Sequence, residues 1–127
     1  MTKHADSHFQ KILLIDTTSR DQTRLGIIDH REVVTLERAA RAQELQSMIS
    51  ELLEQTGTKL TVLDAIATLT GPGSFTGARI GISAANTLGW LYKLPLLPIP
   101  GTDFEAAITA LQQNHTPSAE RVILPTA

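Results

Sequence analysis

Cysteine is absent from the 127 residues, so the chain has no disulfide framework and no thiolate for zinc or for nucleophilic attack. Histidine is sparse and scattered. His4 and His8 fall in a polar N-terminal stretch, His30 in an expected hairpin turn and His115 near an expected helix end, without the spacing of metal ligands. No apolar run reaches the length of about eighteen residues that a membrane-spanning helix needs. The opening Met-Thr-Lys-His-Ala-Asp-Ser-His is too polar for a signal peptide, and the expected location is the cytoplasm. A charge excess of one sign is missing as well. The formal charge is only −2 with Lys and Arg dispersed, so the footprint of a protein that grips nucleic acid strongly and directly is not there.

What is present is the composition of an ordinary globular protein, 42% hydrophobic and 19% charged, long enough for one domain with a sizeable core. Residues 1–9 read as a frayed tail and 10–127 as a single unit without internal repeats. Ile12-Leu13-Leu14-Ile15 is an apolar run closed by Asp16, the pattern of a central strand buried on both faces. Two further runs, 23–29 and 32–37, predict a hairpin that continues an antiparallel meander. The period then changes. Over 39–56, Leu45, Met48, Ile49, Leu52 and Leu53 line one side and Gln and Glu residues the other, which predicts an amphipathic helix stopped near Gly57. Residues 60–64 read as a connector into the buried strand Ala65-Ile66-Ala67-Thr68-Leu69. Later, 96–99 between Pro95 and Pro100 reads as a short strand, and 104–113 as a helix capped by Thr102 or Asp103. Val122-Ile123-Leu124 has the look of a further strand beginning.

The most informative stretch follows the 65–69 strand: Thr70-Gly71-Pro72-Gly73-Ser74-Phe75-Thr76-Gly77-Ala78-Arg79-Ile80-Gly81. A strand, a glycine-rich turn and a helix meet there, with Ser74 or Thr76 as candidate caps and bare amides at the positive helix end. A phosphate-binding Walker loop is excluded, because the residue five after Gly71 is Thr76, that after Gly73 is Ala78, and no lysine is near. The dinucleotide fingerprint fails too, since Thr76 stands where its third glycine belongs. Glycine spacing alone therefore favours a structural turn.

The whole string is more specific than its glycines. Gly71-Pro72-Gly73-Ser74-Phe75-Thr76-Gly77-x-Arg79-Ile80-Gly81 resembles the signature of the bacterial TsaB family, also called YeaZ. The resemblance covers about 11–110, from Ile15-Asp16-Thr17-Thr18 at the first strand's end to Gly101-Thr102. It implies an α/β fold, a single lobe of the ribonuclease H-like, actin-like ATPase type, whose mixed sheet runs from an antiparallel meander into parallel strands flanked by helices. It also implies a relative of the actin, hexokinase and chaperone ATPases that has no catalytic residue or cofactor of its own. Such a protein binds a TsaD-type catalytic subunit, with a TsaE-type ATPase as a further expected partner, in making threonylcarbamoyladenosine at position 37 of tRNA. Alone, it pairs as a homodimer. Two departures stand out. TsaD enzymes characteristically carry histidine near the start of the 39–56 helix, where this chain has Arg41-Ala42-Gln43-Glu44, so a TsaD-like metal centre is unsupported. Relatives usually continue into a second lobe, and one lobe alone would leave a nucleotide half enclosed.

Asp16 is the position to weigh for chemistry. In the ATPases of that superfamily an aspartate at the end of the first strand serves magnesium and phosphate, and a glycine in the next turn admits the ligand. Here Thr17-Thr18-Ser19-Arg20-Asp21-Gln22 contains no glycine and adds the repulsive charge of Asp21. Asp16 therefore reads as structural, bonding turn amides, and Asp16, Gly71, Gly73, Ser74 and Gly77 as at most a vestigial nucleotide site. No histidine stands where it could activate Ser74 or Thr76.

The helix expected over 76–93 carries no charge between Arg79 and Lys93. Gly81, Ala85 and Gly89 recur every fourth residue, which allows close packing of another backbone. Two neighbours fit that face: the 39–56 helix of the same chain, or helices of another chain in a four-helix interface. The resemblance favours the second and implies an interface built from Leu45, Met48, Ile49, Leu52, Gly81, Ala85, Leu88, Gly89 and Trp90, the only tryptophan. The competing readings are a reduced ATPase or kinase lobe using Asp16 and the glycine loop, and a purely homodimeric module.

Overall fold

The computed structural model describes residues 9–29, 32–39, 42–72 and 75–113. Most of the expected tail, His30, Gly73, Ser74 and the 122–124 run lie outside the described residues.

Among the described residues five strands form one sheet: β1 (Lys11–Asp16), β2 (Thr23–Asp29), β3 (Glu32–Arg38), β4 (Ala65–Leu69) and β5 (Leu96–Ile99). Their order is β3-β2-β1-β4-β5, antiparallel from β3 through β1 and parallel from β1 through β5, the mixed sheet expected from the sequence. β1 is central, and its continuous apolar run follows from burial on both faces. Leu13 and Ile15 point into one core, and Ile12 and Leu14 into the other. Pro98 lies in β5, at the sheet edge, where its missing N–H breaks no ladder on the open side.

Three helices cover the sheet: α1 (Leu45–Thr56), α2 (Phe75–Tyr92) and α3 (Phe104–Gln112). Helices α1 and α2 share the Leu13/Ile15 face, and α3 packs on the Ile12/Leu14 face, making three layers. α1 starts later than expected. Residues 42–44 form a single 3-10 turn, and Leu45 is the first residue that the core can hold. It stops as predicted, at Gly57 with φ 63°, whose amide and that of Thr58 bond back to Glu54 and Leu53. Arg38 on β3 pairs with Glu51 on α1 through both terminal nitrogens, an exposed link that raises the guanidinium pKa further but adds little stability.

The small residues of α2 do not face a second chain. Ala85 is fully buried, a Cβ on Gly81 would collide with Thr17 Oγ1, and one on Gly89 would lie 2.7 Å from Leu96 Cδ2 and 3.1 Å from the Leu94 carbonyl oxygen. Leu45, Met48, Ile49 and Leu52 are buried in the same core. This corrects the expected interface. Those seven positions are filled by the chain's own sheet, because α2 must come close to β1 and β5 to bury Ile82 and Ala85. Of the expected set, Leu88 is half-buried and Trp90 is exposed.

Replacing a glycine inside a helix by alanine ordinarily stabilises by about 1 kcal/mol. Gly81→Ala is expected to do the opposite, losing about 1–3 kcal/mol in urea unfolding, because the added methyl displaces the hydrogen-bonded Thr17 side chain. A stabilised variant would show that α2 does not sit this close to the sheet.

Candidate functional site

Strands β1, β4 and β5 run parallel, so their C-terminal ends open on one edge of the sheet, where α/β folds take ligands. Three turns meet there. Gly71, after β4, and Gly101, after β5, exchange two backbone hydrogen bonds of 3.1 and 2.8 Å. Both have positive φ, 92° and 110°, which a side chain would strain. Gly71 thus has a structural task, fastening its turn to the one before α3. Asp103, of the two expected candidates, caps α3 by accepting from the Ala106 amide at 3.0 Å. In the first turn, the Thr17 hydroxyl donates to the Gly77 carbonyl oxygen at 2.5 Å, joining the end of β1 to the first turn of α2.

Asp16 ends β1 with a carboxylate that is 0% exposed. Its Oδ1 accepts from the Thr18 amide at 2.9 Å and the Thr18 hydroxyl at 2.6 Å, the turn-amide bonding read from the sequence. Its Oδ2 lies 3.2 Å from Nε of Arg24. Neither of those two atoms has a hydrogen-bond partner among the described residues, so charge rather than an aligned N–H···O bond holds the pair. Asp16 and Arg24 stand directly opposite in the β1–β2 register. The guanidinium carbon of Arg24 lies 5.4 Å from the ring centroid of Phe104, the buried first residue of α3.

Arg24 and Phe104 were not singled out in the sequence. The signal was available in part: Arg24 is a charge inside an otherwise apolar strand, and the hairpin register puts it across from Asp16.

A magnesium ion with a nucleotide phosphate, which the actin-like superfamily would bring to this aspartate, needs several oxygen ligands and room for water. The residues do not fit that group. Both carboxylate oxygens of Asp16 are engaged, one by Thr18 and the other by a cation. Among the described residues no group of three His, Cys, Asp or Glu could hold a metal ion.

The second feature is the outer side of α2. Trp90 is 71% exposed, Leu91 58% and Tyr92 39%, with Arg79, Ser83 and Thr87 exposed along the same helix. Between α2 and the start of α1 runs a groove of about 310 Å³, lined by Gln43, Leu45, Gln46, Ile80, Ser83, Ala84 and Thr87. No described helix is long and apolar enough to cross a membrane.

Comparison with known proteins adds the family. The model of the family described as TsaD, tRNA N6-adenosine threonylcarbamoyltransferase, matches residues 34–123. The TsaB protein of Haemophilus influenzae, a tRNA threonylcarbamoyladenosine biosynthesis protein, is 39% identical over 114 residues, 87% of this chain and 47% of the relative. The chain belongs to the TsaB/YeaZ family. The Escherichia coli K12 TsaB protein is 42% identical over 57 residues, 45% of this chain and 25% of the relative. The structure of YeaZ from Pseudomonas aeruginosa superposes with a TM-score of 0.68 at 29% identity, covering 72% of this chain and 44% of that one. This TsaB-family chain thus spans about half the length of the Haemophilus relative, in its N-terminal region.

In this TsaB-family lobe, Thr18→Val keeps the side-chain shape and removes the hydroxyl donor to Asp16. A hydrogen bond to a carboxylate is worth about 1.5–3 kcal/mol, and a loss of that size is expected in urea unfolding. A loss below about 0.5 kcal/mol, the scale of an ordinary surface change, would rule out a buried Thr18–Asp16 bond.

Proposed function

We propose that this chain is a cytoplasmic, non-catalytic subunit in the formation of threonylcarbamoyladenosine at adenosine 37 of tRNA. It docks a TsaD-type catalytic subunit through the outer ridge of α2 and the α1–α2 groove, and supports the transfer without performing it. In the absence of that subunit it pairs with a second copy of itself through the same ridge. A TsaE-type ATPase is the further partner that the resemblance implies.

The observation that carries this reading is Trp90. It is the only tryptophan of the chain, and it stands in water beside Leu91 on a helix with no charge between Arg79 and Lys93. An indole left largely in water forgoes roughly 1–2 kcal/mol of burial free energy, and tryptophan is among the residues enriched at the energetic centres of interfaces. Support comes also from the relatives, whose descriptions name threonylcarbamoyladenosine biosynthesis and threonylcarbamoyl transfer. The dispersed charge of the chain leaves the grip on tRNA to its partner.

Size measurement of the chain alone and mixed with a TsaD-type protein tests the reading. The mixed complex is expected to form with the native chain and to weaken about tenfold or more with Trp90→Ala, the usual effect of truncating an aromatic anchor. Ala85 is unsuitable for such a test, because crowding it disrupts the lobe's own core. Absence of a mixed complex would defeat the subunit reading, and an unchanged affinity in Trp90→Ala would remove the ridge from it.

A further inference from the structure

The buried carboxylate of Asp16 is paired with Arg24, whose side chain is 24% exposed, and the proposed subunit function does not use this pair. The carboxylate is sealed from water, and its Oδ2 faces Arg24 Nε at 3.2 Å. A buried carboxylate must have a cation or lose its charge. The resemblance to actin-like ATPases would have that cation arrive from solution as a metal ion. Here it is part of the chain.

We propose that Arg24 is a tethered counter-cation that closes the end of β1 to divalent metal ions, and with them to metal-bound nucleotide. Several features support it. Arg24 is directly opposite Asp16 in the antiparallel register, so the backbone delivers the guanidinium to the carboxylate without a loop or a hinge. Its stem rises from a strand position paired also with Glu37 of β3, which holds β2 between two neighbours. The Phe104 ring, 5.4 Å from the guanidinium carbon, covers the cation from the α3 side. The guanidinium is carried on a side chain of β2, so this counter-cation does not exchange with solution as a metal ion does. The remaining oxygen, Oδ1, is occupied by Thr18. The turn that follows has no glycine between Thr17 and Gln22 through which a phosphate could reach the backbone.

The proposal is independent of which partner docks on α2, and its test needs no partner. Mn²⁺ is titrated into the native chain, Arg24→Leu and Asp16→Asn/Arg24→Leu, followed by electron paramagnetic resonance of the free ion. The native chain is expected to show no saturable site below the millimolar range. Arg24→Leu, with its carboxylate uncompensated, is expected to bind Mn²⁺ about tenfold or more tightly than the native chain, a gain that the double variant loses. Micromolar binding of Mn²⁺ by the native chain overturns the proposal, as does an Arg24→Leu variant that binds no better than native.

Chemical unfolding of Asp16→Asn, Arg24→Leu and the double variant decides the matter even where a single variant is too unstable to titrate. If the two charges answer each other, the double variant keeps more stability than the single losses add up to. Losses in the double variant that equal or exceed the sum of the two single losses overturn it.

Discussion

Contact between α2 and the end of β1 governs what the rest of the molecule can present. Thr17 sits against Gly81 with no room for a methyl group, and its hydroxyl bonds the Gly77 carbonyl oxygen. At Gly89 the helix again lies within a methyl's width of Leu94 and Leu96. A helix pinned at both ends by small residues cannot rotate on the sheet, so its buried side is set by the sheet and its outer side is left to water. Trp90 is on that outer side because Gly81, Ala85 and Gly89 are on the inner one.

The same edge of the sheet explains the lobe's character. Ends of parallel strands are where α/β folds bind ligands, yet each turn at this edge is engaged by another part of the chain. Gly71 is bonded to Gly101, Thr17 to Gly77, and Asp16 to Thr18 and Arg24. Interactions that would hold a ligand are spent on holding the turns. The proposed docking role would use the opposite property, a helix side with no charge between Arg79 and Lys93, supported by a three-layer core.

Legibility in the sequence followed the range of the interactions. The strand at Lys11–Asp16, the helix stop at Gly57, the turn at Gly71 and the cap at Asp103 were readable because each rests on a few consecutive residues. The start of α1 was misplaced, since alanine-rich residues ahead of Leu45 have helix propensity but no apolar stripe to bury. The small-residue line of α2 was readable as a site of close approach, with its neighbour left open between a helix of the same chain and another chain, and the residues that lie against it are those of the chain's own sheet edge. A small residue at every fourth position, Gly81, Ala85 and Gly89, states that something comes near without stating what.

Local patterns were thus enough for the order of strands and helices, the family signature at residues 71–81 and the singular position of Asp16. Folding settled which side of α2 meets water, and it completed what the hairpin register only suggested, that Arg24 is the cation at Asp16. Thr17 and Gly77 are 60 residues apart, and Arg24 meets Phe104 only when α3 packs across the sheet. Partners separated that far along the chain leave no periodic trace in it, because their meeting depends on the register and layering of the whole sheet.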